Sequence, residues 1–245
     1  MEPNNDAAEH ERFLRWAQLT CAGEVAAMVA HDINNAVTGV MSYAELAQMD
    51  LPSWSEAGTY LQKSLDQARR ISNLANHLLM ISHEAAYVPV SEDIRGSLEA
   101  ACALVQRRLE KDAIAFERRL DIADARVVAD SARLLLTWLG LILAARSGLL
   151  QSPAGSFRAL QVSAEPMRRG ESAAVRVVVD ARADAPPPAQ FLEQLRRAET
   201  DGPPLCREAM LYAAARAHVA RLGGTLGLRE TDEGFAFEVE LPLSA

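Results

Sequence analysis

The sequence predicts an α+β protein. An N-terminal two-helix hairpin pairs with a second copy as a dimeric four-helix bundle, and an α/β sandwich follows it. Three observations predict this. Glu9 to Met49 holds no proline and carries an apolar seam in alternating steps of three and four. A second helical stretch follows a proline stop. Beyond Ser91 the periodicity breaks into a mixture of strands and helices. The expected domains are residues 1–86 for the hairpin and 91–245 for the sandwich.

The first helix follows from its seam: Trp16, Leu19, Gly23, Ala26, Ala30, Ile33, Val37, Val40, Ala44 and Ala47. That heptad-like spacing belongs to a helix that packs along its whole length. Asp50-Leu51-Pro52-Ser53 stops it, and Ser53 with Glu56 has the spacing of a capping box for the next helix. The inner face of the second helix is Leu61, Leu65, Ala68, Ile71, Ala75, Leu78 and Ser82, and it fades near Glu84. At 1.5 Å per residue the hairpin is roughly 45–60 Å long. Its small seam residues suit close packing against a second copy.

Tyr87 to Ser91, with Pro89, reads as a linker. Glu92 to Asp112 then reads as a helix, Ala113 to Leu120 and Ala125 to Val128 as strands, and Ser131 to Leu149 as an apolar helix. Arg158 to Glu165 and Ala173 to Asp180 read as strands. Pro186-Pro187-Pro188 and Gly202-Pro203-Pro204 bracket a short helical piece. A helix from Leu205 to Leu222 ends at Gly223-Gly224, and Thr225 to Arg229 pairs with Phe235 to Leu241 as a hairpin.

Composition narrows the function. The chain has 245 residues, 49% apolar and 24% charged, enough to bury a core. Its net charge of −8 lacks the basic stripe of a nucleic-acid binder. Cys21, Cys102 and Cys206 are scattered and odd in number, neither a disulfide framework nor a metal spacing. The polar N-terminus is unlike a secretory leader, and the apolar run from Leu134 to Ala145 is shorter than the roughly 20 residues that span a bilayer. A cytoplasmic protein that meets neither membrane nor nucleic acid is the expectation.

The informative string is Ala30-His31-Asp32-Ile33-Asn34-Asn35-Ala36-Val37-Thr38. His31 is one residue past the seam, so its ring faces the flank of the bundle. Asp32 is adjacent, and Asn35 is one turn on at i+4, on the same side. A neutral imidazole nitrogen is a good nucleophile for phosphorus near neutral pH. A carboxylate beside it can hold the other ring N–H and stabilise the cation that develops. An amide one turn away can orient a water or a phosphoryl oxygen. His10, His77, His83 and His218 read as ordinary histidines. Arg69 and Arg70, on the helix-two stretch expected opposite His31, suit either steadying a phosphoryl group or solubility.

Gly23 to Asn35, continued by Thr38 to Leu46, resembles the H-box of the dimerisation and phosphotransfer domain of bacterial sensor histidine kinases. The resemblance covers Trp16 to His83. Two departures stand out: Asp32 replaces the commoner glutamate, and Ala36 replaces the usual proline that bends the helix. In that family an ATP-binding sandwich follows, and the order of elements after Ser91 is similar to that Bergerat-type fold.

The resemblance also locates the nucleotide boxes, and they differ. The two family asparagines fall on Gly140 and Ala144, which lack the oxygen donors a hard cation needs. Asp180 stands where the family's adenine-binding aspartate stands, but the glycines after it are Arg182 and Asp184. The second glycine-rich stretch falls on Ala209-Met210-Leu211-Tyr212, without a glycine to bring backbone N–H groups to a phosphate.

This combination resembles the dimeric histidine phosphotransferases of bacterial phosphorelays. The resemblance implies that His31, with Asp32 and Asn35, carries a phosphoryl group between receiver aspartates of response regulators without ATP. It further implies a homodimer through the hairpin and no cofactor of the chain's own, the magnesium coming from the receiver. An ATP-dependent sensor histidine kinase is the alternative reading, kept by Asp180 and the element order. A response-regulator-binding scaffold without chemistry is the second alternative.

Overall fold

The computed structural model describes residues 28–52, 54–82, 89–153, 155–170, 172–198 and 206–244, with the side chains of 77–82 left aside. The chain divides into two compact units, Met1–Ala86 and Tyr87–Ala245. In the first, helix α1 spans residues 28–49 and α2 spans Glu56–Ser82. The seam positions before residue 28 lie outside the described residues, as do the side chains of Leu78 and Ser82.

Ala30, Leu65, Ala68 and Ala75 are buried between the two helices, while Ile33, Val40, Ile71 and Leu74 remain exposed. Polar pairs set the register. Asn34 Nδ2 donates to Asn76 Oδ1 at 2.6 Å, Ser72 Oγ donates to Asn34 Oδ1 at 3.2 Å, and Gln48 Nε2 donates to Gln62 Oε1 at 2.8 Å. The start of α2 differs from expectation. Its cap is Ser55, whose Oγ accepts from Gly58 N at 3.0 Å, because the turn bonded from Ser55 N to Pro52 O delays the helix to Glu56.

The second unit runs β1 (Val90–Asp93), α3 (Ile94–Lys111), β2 (Ala115–Leu120), β3 (Arg126–Ala129), α4 (Ser131–Leu150), β4 (Arg158–Arg169) and β5 (Ser172–Ala183), then α5 (Ala189–Arg197), α6 (Arg207–Arg221), β6 (Thr225–Thr231) and β7 (Gly234–Pro242). β2, β4, β5, β7 and β6 form one sheet in that order, with only β2 and β4 parallel. β1 and β3 form a separate antiparallel pair. The expected linker therefore ends as a strand, since Val90 to Asp93 finds a partner in Arg126 to Ala129 that local pattern does not announce.

Asp93 and Asp130 cap α3 and α4 by accepting from the first-turn N–H groups of Arg95, Gly96 and Arg133. α6 ends in a Schellman turn: Gly224 N bonds Val219 O and Gly223 N bonds Ala220 O, with Gly223 at φ 76°. The core lies on one sheet face. Leu160, Val162, Val175, Val177, Val179, Phe235, Phe237 and Val239 meet Trp138, Leu141, Tyr212 and Val219 from the helices. α4 passes the length and composition test for crossing a membrane, yet 61% of the tested stretch is buried within the fold, as in a core helix.

Candidate functional site

α1 carries His31 on its exposed side, 68% accessible, beside Asp32 at 78%. The i+4 step brings Asn35 Nδ2 to 3.3 Å from His31 Nδ1, and Asp32 Oδ1 lies 3.7 Å from the same nitrogen. Both neighbours therefore meet Nδ1 and neither meets Nε2. When the ring N–H sits on Nδ1 and turns to the carboxylate, the Nε2 lone pair is open to an electrophile. When the Asn35 amide donates to Nδ1, the proton moves to Nε2 and that lone pair is lost. The two side chains thus favour opposite tautomers.

Three residues from His31, Asn34 is held by Ser72 and Asn76 of α2, and its backbone carbonyl accepts from Thr38 Oγ1 at 2.8 Å. This clamp fixes α1 on α2 next to the histidine. The H-box string contained Asn34, but nothing in the sequence marked its partners on α2. Arg69 lies elsewhere than expected. It pairs with Glu45 and Asp66, each at 3.6 Å, well along the hairpin from His31, because the register pairs Asn34 with Asn76.

Gly140 and Ala144 face inward on α4, and Ala144 is fully buried. A Cβ on Gly140 would sit 3.7 Å from Leu211 of α6, so Leu211 occupies the space beside it. Ser147 Oγ, one turn beyond Ala144, donates to Glu208 Oε1 at 2.8 Å and ties the two helices together. The strand expected to end at Asp180 runs on to Ala183, and its alternation puts Val179 and Ala181 against the helices. Asp180 lies on the opposite face with Arg182, whose Nε donates to Asp180 Oδ2 at 2.8 Å. Arg182 also donates to Gln161 at 2.7 Å, and Asp184 accepts from Phe157 N at 3.1 Å.

The HisKA family model, the His Kinase A phospho-acceptor domain, matches residues 22–86. The catalytic domain of the histidine kinase ThkA is similar to 64% of this chain and 96% of that domain, at 20% identity and a TM-score of 0.51. Residues 22–86 are thus similar to a phospho-acceptor domain, and the unit after them shares the fold of a histidine-kinase catalytic domain. Full-length ShkA in complex with AMPPNP is similar over 91% of this chain and 46% of that one, at 16% identity and a TM-score of 0.49. ThkA in complex with the response regulator protein TrrA is similar over 99% and 68%, at 20% identity and a TM-score of 0.48. No curated protein sequence matches the chain.

These likenesses correct the relay reading. A phosphoacceptor-domain match joined to the fold of a histidine-kinase catalytic domain favours an ATP-dependent histidine kinase over ATP-free transfer between receivers. The residues of the sandwich nonetheless do not fit magnesium-bound ATP in the manner that the resemblance implies. Gly140 and Ala144 offer no oxygen, Leu211 fills the gap beside Gly140, and Asp180 is turned to the outer sheet face.

Proposed function

We propose that this chain is the core of an ATP-dependent histidine kinase of a two-component system, with His31 as its phosphoacceptor. A response-regulator receiver takes the phosphoryl group onward, and the hairpin pairs with a second copy through its uncovered apolar residues. One observation carries the reading: within a stretch matched by the phospho-acceptor family, His31 is exposed with Asp32 and Asn35 at Nδ1 and, among the described residues, no polar neighbour at Nε2. When Nε2 attacks the γ-phosphorus of ATP, the P–N bond forms as the bond to the β,γ-bridging oxygen breaks and ADP leaves with that oxygen; Nδ1 keeps its proton and the ring gains positive charge, which Asp32 faces. The ATP clause is supported by the family match and by the fold of the sandwich, not by oxygen ligands at 140 and 144. Donor and acceptor are therefore tested apart.

Incubation with magnesium and ATP labelled on its γ-phosphate is expected to give acid-labile, alkali-stable label, absent in His31→Gln. Label arriving at His31 from a phosphorylated receiver but never from ATP overturns the ATP clause. Label from neither source overturns the phosphoacceptor.

A further inference from the structure

A cavity of about 440 Å³ opens between the first half of α4 and the last half of α6. Its walls include Arg133, Leu136, Thr137, Leu211, His218 and Arg221. Gly140, Ala144 and Asp180 do not line it. His218 is 8% exposed and Thr137 3%, the deepest polar groups of this wall.

Their hydrogens can be assigned. Both contacts of Thr137 Oγ1 are satisfied together when it donates its one hydrogen to Arg133 O at 2.8 Å and accepts from His218. The contact to His218 Nδ1 at 2.7 Å then carries a hydrogen from the ring. The imidazole is therefore protonated at Nδ1, and Nε2 holds a lone pair, buried and without a partner among the described residues. Burial first, and the charge of Arg133 next, lower the pKa of this histidine, with Asp130 opposing and Arg221 adding to the effect. A buried acceptor left unpaired calls for an occupant that brings a donor. The positive charge of Arg221 at the rim suits a negative group, and Leu136, Leu211 and the alanines of α6 call for an apolar body.

We propose that the α4–α6 cavity binds a small amphipathic anion. Its apolar body lies on Leu136 and Leu211, its anionic group meets Arg221, and an N–H or O–H reaches His218 Nε2. This inference does not rest on the phosphoacceptor reading, and its test needs no phosphorylation.

Anilinonaphthalene sulfonate has all three features and fluoresces when bound, so it is the probe. Titrating it into the full chain is expected to give saturable fluorescence while long-range proton–nitrogen NMR shows the His218 Nε2 resonance moving toward a hydrogen-bonded value. His218→Phe, which keeps the apolar volume and removes the acceptor, is expected to weaken binding about tenfold. Arg221→Gln, on the exposed last turn of α6, leaves the core untouched and is expected to weaken it about threefold, with a smaller salt dependence. Equal affinity in both variants with an unmoved Nε2 resonance assigns the dye to the apolar face of the hairpin and overturns the proposal. Absence of saturable binding overturns it as well.

Discussion

At the residue scale, the phosphoacceptor reading turns on which neighbour of His31 controls Nδ1. Asp32 at 3.7 Å favours the nucleophilic tautomer, while the Asn35 amide at 3.3 Å favours the other. Asp32→Asn is therefore expected to slow phosphorylation of His31 by about 10²-fold, within the range of a lost proton-positioning group. Both side chains are exposed, so the same variant should hold its melting temperature, corresponding to a stability change within about 0.5 kcal/mol. A rapid-quench time course beside a thermal melt checks both. His218 makes a different prediction. Its lowered pKa means that the unfolded chain takes up a proton more readily than the native one, so the native state is fully stable above the ordinary value of about 6.5. Stability should fall as the pH drops through 6.5 toward the lower native value, and His218→Phe should flatten that part of the curve in urea melts. The His31 site was legible because i+1 and i+4 relations are local to one helix. The Thr137–His218 pair was not, because only the packing of α6 on α4 joins residues so far apart in the chain.

At the scale of elements, α4 holds two glycines that read alike in the sequence and differ in the fold. A Cβ on Gly148 would lie 2.7 Å from Phe191 and 2.8 Å from Phe235, two rings that meet at a centroid distance of 5.6 Å. A Cβ on Gly140 would have Leu211 as its nearest neighbour, at an ordinary 3.7 Å. Gly148→Ala is expected to destabilise the sandwich by about 1–3 kcal/mol, as overpacking does, and Gly140→Ala to leave it nearly unchanged. Urea melts of the two variants separate these outcomes. β5 shows why strand ends matter to a site. Ending it at Asp180 leaves that carboxylate's face undecided, but pairing with β4 and β7 carries the alternation through Ala183 and settles it. A two-residue periodicity assigns every side chain once the register is fixed, and register is a property of the sheet rather than of the strand.

At the scale of the molecule, the two units differ in how much core each owns. The sandwich buries Trp138, Tyr212, Phe235 and Phe237 almost completely. The described part of the hairpin buries little beyond Ala30, Leu65, Ala68 and Ala75, and a groove of about 540 Å³ with Val37, Val40, Tyr60 and Ile71 in its walls stays open. The proposed pairing with a second copy would cover that groove. The excised hairpin, residues 1–86, is expected to lose helicity on dilution, whereas residues 87–245 should melt at a temperature independent of concentration. Circular dichroism across a hundredfold dilution, read as helicity and midpoint, checks both; a concentration-independent hairpin would defeat the pairing.

By itself the sequence determined the helical hairpin, the order of strands and helices from α3 onward, and the trio His31, Asp32 and Asn35, because periodicity and i+4 spacing are written into neighbouring residues. Only the tertiary structure decided that Asp180 faces away from the helices, that Leu211 sits beside Gly140, and that Thr137 meets His218 at the wall of a cavity. Each of these depends on how distant elements pack and slide into register, and that choice is made by burial summed over the whole unit rather than by any local run of residues.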